Sequence, residues 1–197
     1  MEFTKVPQAM GGAAARKVNQ LAYNELITSD GVSASVTGRV LTQDSTALFN
    51  AATHANYIAS GSGAAPSVAT LNTAEAAMMR QKAPLLTADS ASKAYINVAP
   101  AYLLVPPELK ATAQVLVSAT YDPAGTTASV SRRDAPNPWN GRLEVIADPL
   151  LTLTSGWYLA AGKNSNIDTV TVFFLNGQSA PYIEQQDNWT RHDFTPV

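Results

Sequence analysis

The 197-residue sequence contains no cysteine, so disulfides, thiolate metal sites and thiol catalysis are all excluded. Long apolar runs are missing as well. The longest bulky runs, Tyr102-Leu-Leu-Val105 and Val172-Phe-Phe-Leu175, are far shorter than the roughly 20 residues that a bilayer-spanning helix needs. The first residues carry Glu2 and Lys5 but no apolar stretch of about 7 to 15 residues, and so do not read as a secretory signal. Charge is scarce. Thirteen Lys and Arg and fifteen Asp and Glu make 14% of the chain, with a net charge of −2, against about 25% in an ordinary soluble protein. Apart from Arg16-Lys17 and Arg132-Arg133 the basic residues are scattered, which leaves no patch able to neutralise several phosphates and argues against sequence-independent nucleic-acid binding.

Hydrophobic residues form 46% of the sequence, but 33 of them are alanines, each of which removes only one methyl group from water on burial. The length suits one domain, or one domain with an appendage. Ala14, Val18, Leu21, Ala22 and Leu26 recur near helical spacing and predict an amphipathic helix over 13–27, broken by Asp30-Gly31. Residues 32–67 are small and polar and read as a long, partly ordered excursion outside the core, with Gly61-Ser-Gly-Ala-Ala-Pro66 a flexible loop by composition.

Asn72, three residues before Glu75, resembles a capping box and predicts a helix from there to about Lys82, ending before Pro84. The run 101–105 suits a buried strand. Pro107 fits the first position of a following helix, which sets Leu109, Ala113, Leu116 and Val117 on one side. Strands are expected at 143–147, 157–161, 169–175 and 182–184, with tight hairpin turns at Asn140-Gly141 and Asn176-Gly177. Helices in the first half and strands in the second predict an α+β fold rather than alternating βαβ units.

No constellation of residues carries a strong catalytic signal. His54 and His192 lie far apart in the sequence, with no HExxH or paired-carboxylate pattern beside them, and read as ordinary surface or core histidines. The glycines at 61 and 63 begin like a dinucleotide fingerprint, but Pro66 stands where the third glycine belongs and no apolar strand precedes them. No serine lies in a GxSxG elbow, and Glu108, Glu144, Asp148 and Glu184 have cheaper readings as helix-start or solvated residues. Trp139 and Trp157 read as core or interface anchors. No cofactor or metal site is expected.

Taken in order, several segments resemble the major capsid (head) proteins of Mu-like tailed phages and prophages. These are Tyr102-Leu-Leu-Val-Pro-Pro-Glu-Leu109, Tyr121-Asp-Pro-Ala-Gly125, Asn137-Pro-Trp-Asn-Gly141 with Leu143-Glu-Val-Ile146, Trp157-Tyr-Leu-Ala-Ala161, Asn176-Gly-Gln178 and Pro181-Tyr-Ile-Glu-Gln185. Upstream, Ala13-Ala-Ala-Arg-Lys17, Asp44-Ser-Thr-Ala-Leu-Phe49 and Ala76-Ala-Met-Met-Arg-Gln-Lys82 fit the same pattern. The resemblance implies an HK97-type capsid fold. Residues 1–70 would hold the end of the spine helix and a P-domain-like excursion, and residues 71–197 an A-domain-like core with strands leading back to the P domain. The family pattern extends past both ends of this chain, which therefore reads as shortened.

The resemblance further implies a structural subunit, not an enzyme. It would self-assemble into pentamers and hexamers that enclose packaged DNA without sequence-specific contact. Portal, scaffold or prohead protease would be partners during assembly; the location would be the host cytoplasm and then the virion, with no membrane involved. Candidate contact residues are Asp44, Phe49, Arg132, Arg133, Trp139, Asn140, Lys163 and Asn164. Two other readings stay open: an isolated capsid-derived binding module, and a serine-dependent hydrolase using His54 or His192. The shortage of charge suits a surface that packs against neighbours, because charge keeps surfaces apart.

Overall fold

The central element of the sheet is strand β1, Pro100–Val105, where Leu103 and Val105 point to one face and are fully buried. Alternation along a strand sends Tyr102 and Leu104 to the opposite face. In the computed structural model, which describes residues 5–27, 37–42, 44–58, 65–82, 94–123, 135–163, 165 and 171–177, β1 lies between two partners. Strand β2, Glu144–Ala147, runs parallel to it with Leu103 opposite Val145, and strand β3, Tyr158–Ala161, runs antiparallel with Leu103 opposite Leu159. An irregularity between Pro100 and Tyr102 shifts the β3 register.

Parallel neighbours need a crossover, and helix α3, Lys110–Ser118, supplies it. Pro107 opens a 3-10 turn over Pro107–Leu109, which runs directly into α3. The proline costs nothing there, since the first N–H groups of a helix have no partner within it. Ala113 and Leu116 are buried against the sheet, and Leu109 and Val117 pack at the margin, as the spacing predicts. The mixed α+β class holds, but its centre is one β1–α3–β2 unit with a parallel pair. Asn140-Gly141 accordingly closes no hairpin.

Helix α2, Val68–Met79, starts four residues earlier than expected. Its cap is Ser67, whose hydroxyl accepts the Thr70 N–H at 3.2 Å while the Thr70 hydroxyl accepts the Ser67 N–H at 2.9 Å. A threonine at the third helical position thus does the reciprocal work expected of Glu75. Leu71, fully buried, is the residue by which α2 enters the core. That core is completed by Trp139 and Leu143.

Helix α1, Lys5–Ile27, also starts earlier than the sequence suggested. Ala14, Val18, Ala22 and Leu26 are half-buried at four-residue spacing, whereas Leu21, counted with them from the sequence, is 54% exposed.

By contact the chain divides into two units, Met1–Leu21 with Val172–Val197, and Ala22–Thr171, the second holding the sheet. Residues 171–174 form no strand, contrary to expectation, and Leu175–Gly177 is a 3-10 turn in which Asn176 and Gly177 both take positive φ, 54° and 70°. The strand expected at 182–184 lies outside the described residues, as does His192.

Candidate functional site

Three groups of polar side chains hold the second unit together. The first surrounds Trp139, the largest fully buried side chain. Its indole N–H donates to Asn72 Oδ1 at 2.9 Å, and the Arg142 guanidinium lies 4.5 Å from the ring centre while pairing with Glu75. Asn72 and Glu75, which the sequence suggested as a helix cap, are therefore the side chains by which α2 grips the turn before β2.

The second group centres on Asn137, the one buried polar residue of the described core. Its amide nitrogen donates to the carbonyls of Leu116 at 2.6 Å and Ala119 at 2.9 Å, and its oxygen accepts the Trp139 N–H at 3.0 Å. Gly141, at φ +68°, donates its N–H to the Val117 carbonyl at 2.9 Å. Carbonyls at the end of α3 that have no helical partner are thus satisfied from one short turn. Sequence reasoning passed over Asn137, although a polar residue between two prolines, ahead of a tryptophan, is a signal for a turn that must be closed by side chains.

The third group orders part of the polar excursion, residues 37–42 and 44–58. Gly38, at φ +71°, brings this segment against α1: a Cβ there would stand 2.9 Å from Leu48 Cβ and 3.1 Å from the Glu25 carbonyl oxygen. Arg39 pairs with Glu25 at 2.9 Å, and Val40 bridges to Ala47. Asp44 accepts the Thr46 N–H on one carboxylate oxygen at 3.0 Å and faces His54 Nε2 with the other at 2.7 Å. These bonds, that from His54 foremost, hold the Asp44 carboxyl below the usual carboxylate range. The Phe49 ring lies 5.3 Å from that of Tyr158 on β3, whose phenol is pushed up by burial and by the neighbouring Tyr57. At the same end of the sheet, where Asp148 follows β2, Tyr23 of α1 bonds the Asp148 side chain, and its phenol is pushed up to about 12, first by burial and then by that carboxylate.

Of the candidate contact residues, Asp44, Asn140 and Lys163 are exposed and Phe49 is half-buried on Tyr158. Trp139 is enclosed entirely by its own chain, so its role as a contact residue is corrected to that of a core anchor. Arg132, Arg133 and Asn164 lie outside the described residues. The exposed residues do not converge on one concavity. An open groove of about 790 Å³ runs past Ile96, Pro100, Tyr102 and Lys163, and a smaller one of about 460 Å³ lies between Pro66, Thr112, Val115 and Pro123. Among the described residues no group of three or more His, Asp or Glu side chains could hold a metal ion, and no helix is long and apolar enough to cross a membrane.

Large apolar side chains nevertheless stand outward. Val115 and Tyr121 are more than half exposed, and Phe173 and Leu175 are exposed to 89% and 86%. A family model described as phage capsid protein matches residues 1–195, and the chain belongs to the phage capsid protein family. Proteins of this kind are structural and non-enzymatic, and their place is the virion. No curated protein and no solved structure matches the chain.

Proposed function

We propose that the chain is a major head protein of the Mu-like type with an HK97-type fold, whose copies form pentamers and hexamers around packaged DNA. The observation that carries this reading is the family match across residues 1–195, joined to the ordered run of segments, spanning about Ala13 to Asp193, that resembles Mu-like head proteins. The mixed α+β core supports it. On this reading residues 1–70 supply the end of the spine helix and a P-domain-like excursion, and residues 71–197 the A-domain-like part. The physical work is done by many modest heterologous contacts closed by symmetry.

Contacts between copies would use the exposed positions Asp44, Asn140 and Lys163, the half-buried Phe49, and Arg132, Arg133 and Asn164. Portal, scaffold or prohead protease would meet the subunit during assembly. The near-neutral charge favours confinement of DNA over a grip on it. Negative-stain microscopy of the purified chain, read with light scattering, tests the proposal. Rings, sheets or shells are the expected result. A monomer that stays monomeric at high concentration and saturates with one virion partner would instead make it a capsid-derived binding module.

A further inference from the structure

We propose that His54 is a protonation-operated latch that sets the conformation of residues 41–56 and, through it, the seat of Phe49 on β3. The ring nitrogens of His54 face two groups that can only accept hydrogen bonds in this arrangement. Nδ1 lies 3.1 Å from the Leu48 carbonyl oxygen, and Nε2 lies 2.7 Å from Asp44 Oδ2. A carbonyl never donates, and the Asp44 carboxyl already accepts the Thr46 N–H and is held in its ionised form by these bonds. A neutral imidazole has a single N–H, so it can satisfy one partner and must present a lone pair to the other. Only the imidazolium satisfies both.

The consequence reaches Phe49 through the backbone. The Leu48 carbonyl also accepts from the Asn56 side chain at 2.8 Å, and Asn56 in turn accepts the Asn50 N–H at 2.9 Å. His54, Leu48, Asn50 and Asn56 thus form one closed set around the residue that places Phe49 against Tyr158. When His54 gives up a proton, the charged Asp44 carboxylate keeps the remaining N–H, as the stronger acceptor, and the Leu48 carbonyl meets a lone pair where it had a donor, which leaves the turn to the Asn56 bond and loosens it. Among the described residues Asp44 is the charged group that touches His54. Of the ionisable groups on the packed elements, Glu25 of α1 is engaged by Arg39, and Tyr158 of β3 is kept neutral by burial and by Tyr57. The latch is a property of the single chain and stands whichever way the assembly test falls. If residues 41–56 contact a neighbouring copy, as proposed above, it makes that contact sensitive to pH.

Hydrogen–deuterium exchange of the full chain, read by mass spectrometry and corrected for the chemical exchange rate at each pH, tests the latch in any assembly state. Protection of a peptide spanning 41–56 is expected to fall about tenfold as pH rises through the range where histidines ionise, about 5 to 8, while a peptide from α2 stays level. His54→Gln should hold the 41–56 peptide at its low-protection value at every pH. Protection that is flat across the range in the unaltered chain overturns the latch, and so does a fall that persists in His54→Gln.

Discussion

The indole N–H of Trp139 and the side-chain oxygen of Asn72, 67 positions apart in sequence, meet at 2.9 Å and join α2 to the turn that delivers β2. Trp139→Phe keeps an aromatic ring in the core but leaves Asn72 without its donor. Urea unfolding should register a loss of about 1 kcal/mol, against roughly 3 to 5 kcal/mol for Trp139→Ala, where a cavity is added. In a double-mutant cycle, Asn72→Ala and Trp139→Phe should lose less together than the sum of the two alone.

Asn137 and Asn140 lie in the same turn and should behave differently. Asn137→Ala uncovers the carbonyl of Leu116 in α3 and that of Ala119 just after it, at a cost of about 1 to 3 kcal/mol. Asn140 is exposed, and Asn140→Ala should stay within about 0.5 kcal/mol of the parent. Equal effects at the two positions would contradict the arrangement of the turn.

Gly38→Ala places a methyl group against Leu48, Phe49 and the Glu25 carbonyl at a backbone φ of +71°. The expected cost is roughly 1 to 3 kcal/mol. Proteolysis should then cut first within 37–58, because the lost contact is the one that seats this segment on α1.

Tyr23 supplies a pH dependence at the alkaline end. Its phenol is raised in the folded chain to about 12 from an ordinary value of 10.0. Its contribution is therefore complete below pH 10 and is lost as pH rises through about 12, because the unfolded chain releases the proton first. Thermal melts of the parent and of Tyr23→Phe should converge over that interval. A gap that stays constant to pH 12 would show that Tyr23 bonds no carboxylate.

Phe173 and Leu175 stand exposed in a segment that forms no strand. Replacing both with serine should leave the unfolding midpoint nearly unchanged, since little is buried. If the capsid reading holds and these side chains meet other copies, light scattering should show weaker association at equal concentration.

What could be read from the chain in advance follows from local periodicity and local turn chemistry. A short apolar run and proline placement located β1 and the start of the 3-10 turn, the 113/116 pair located the buried face of α3, and Asn176-Gly177 takes the positive φ its residue types tolerate. Trp139 was legible as an anchor but not as an internal one, because an aromatic residue in a turn has the same signature in a core and at an interface. The strand expected over 169–175 rested on a β-branched and aromatic run, yet a strand exists only where a neighbour accepts its backbone bonds, and residues 171–174 pair with no strand among the described residues.

The sequence by itself determined that this is a cysteine-free, charge-poor chain with α+β patterning and no local catalytic motif, because composition and short-range spacing are properties of the chain alone. Tertiary structure decided that β2 lies parallel to β1, that Asn72 and Glu75 serve the core and not a helix cap, and that His54 faces two acceptors. Each of these depends on groups distant in sequence meeting at hydrogen-bond range, and no local pattern encodes a distance across space.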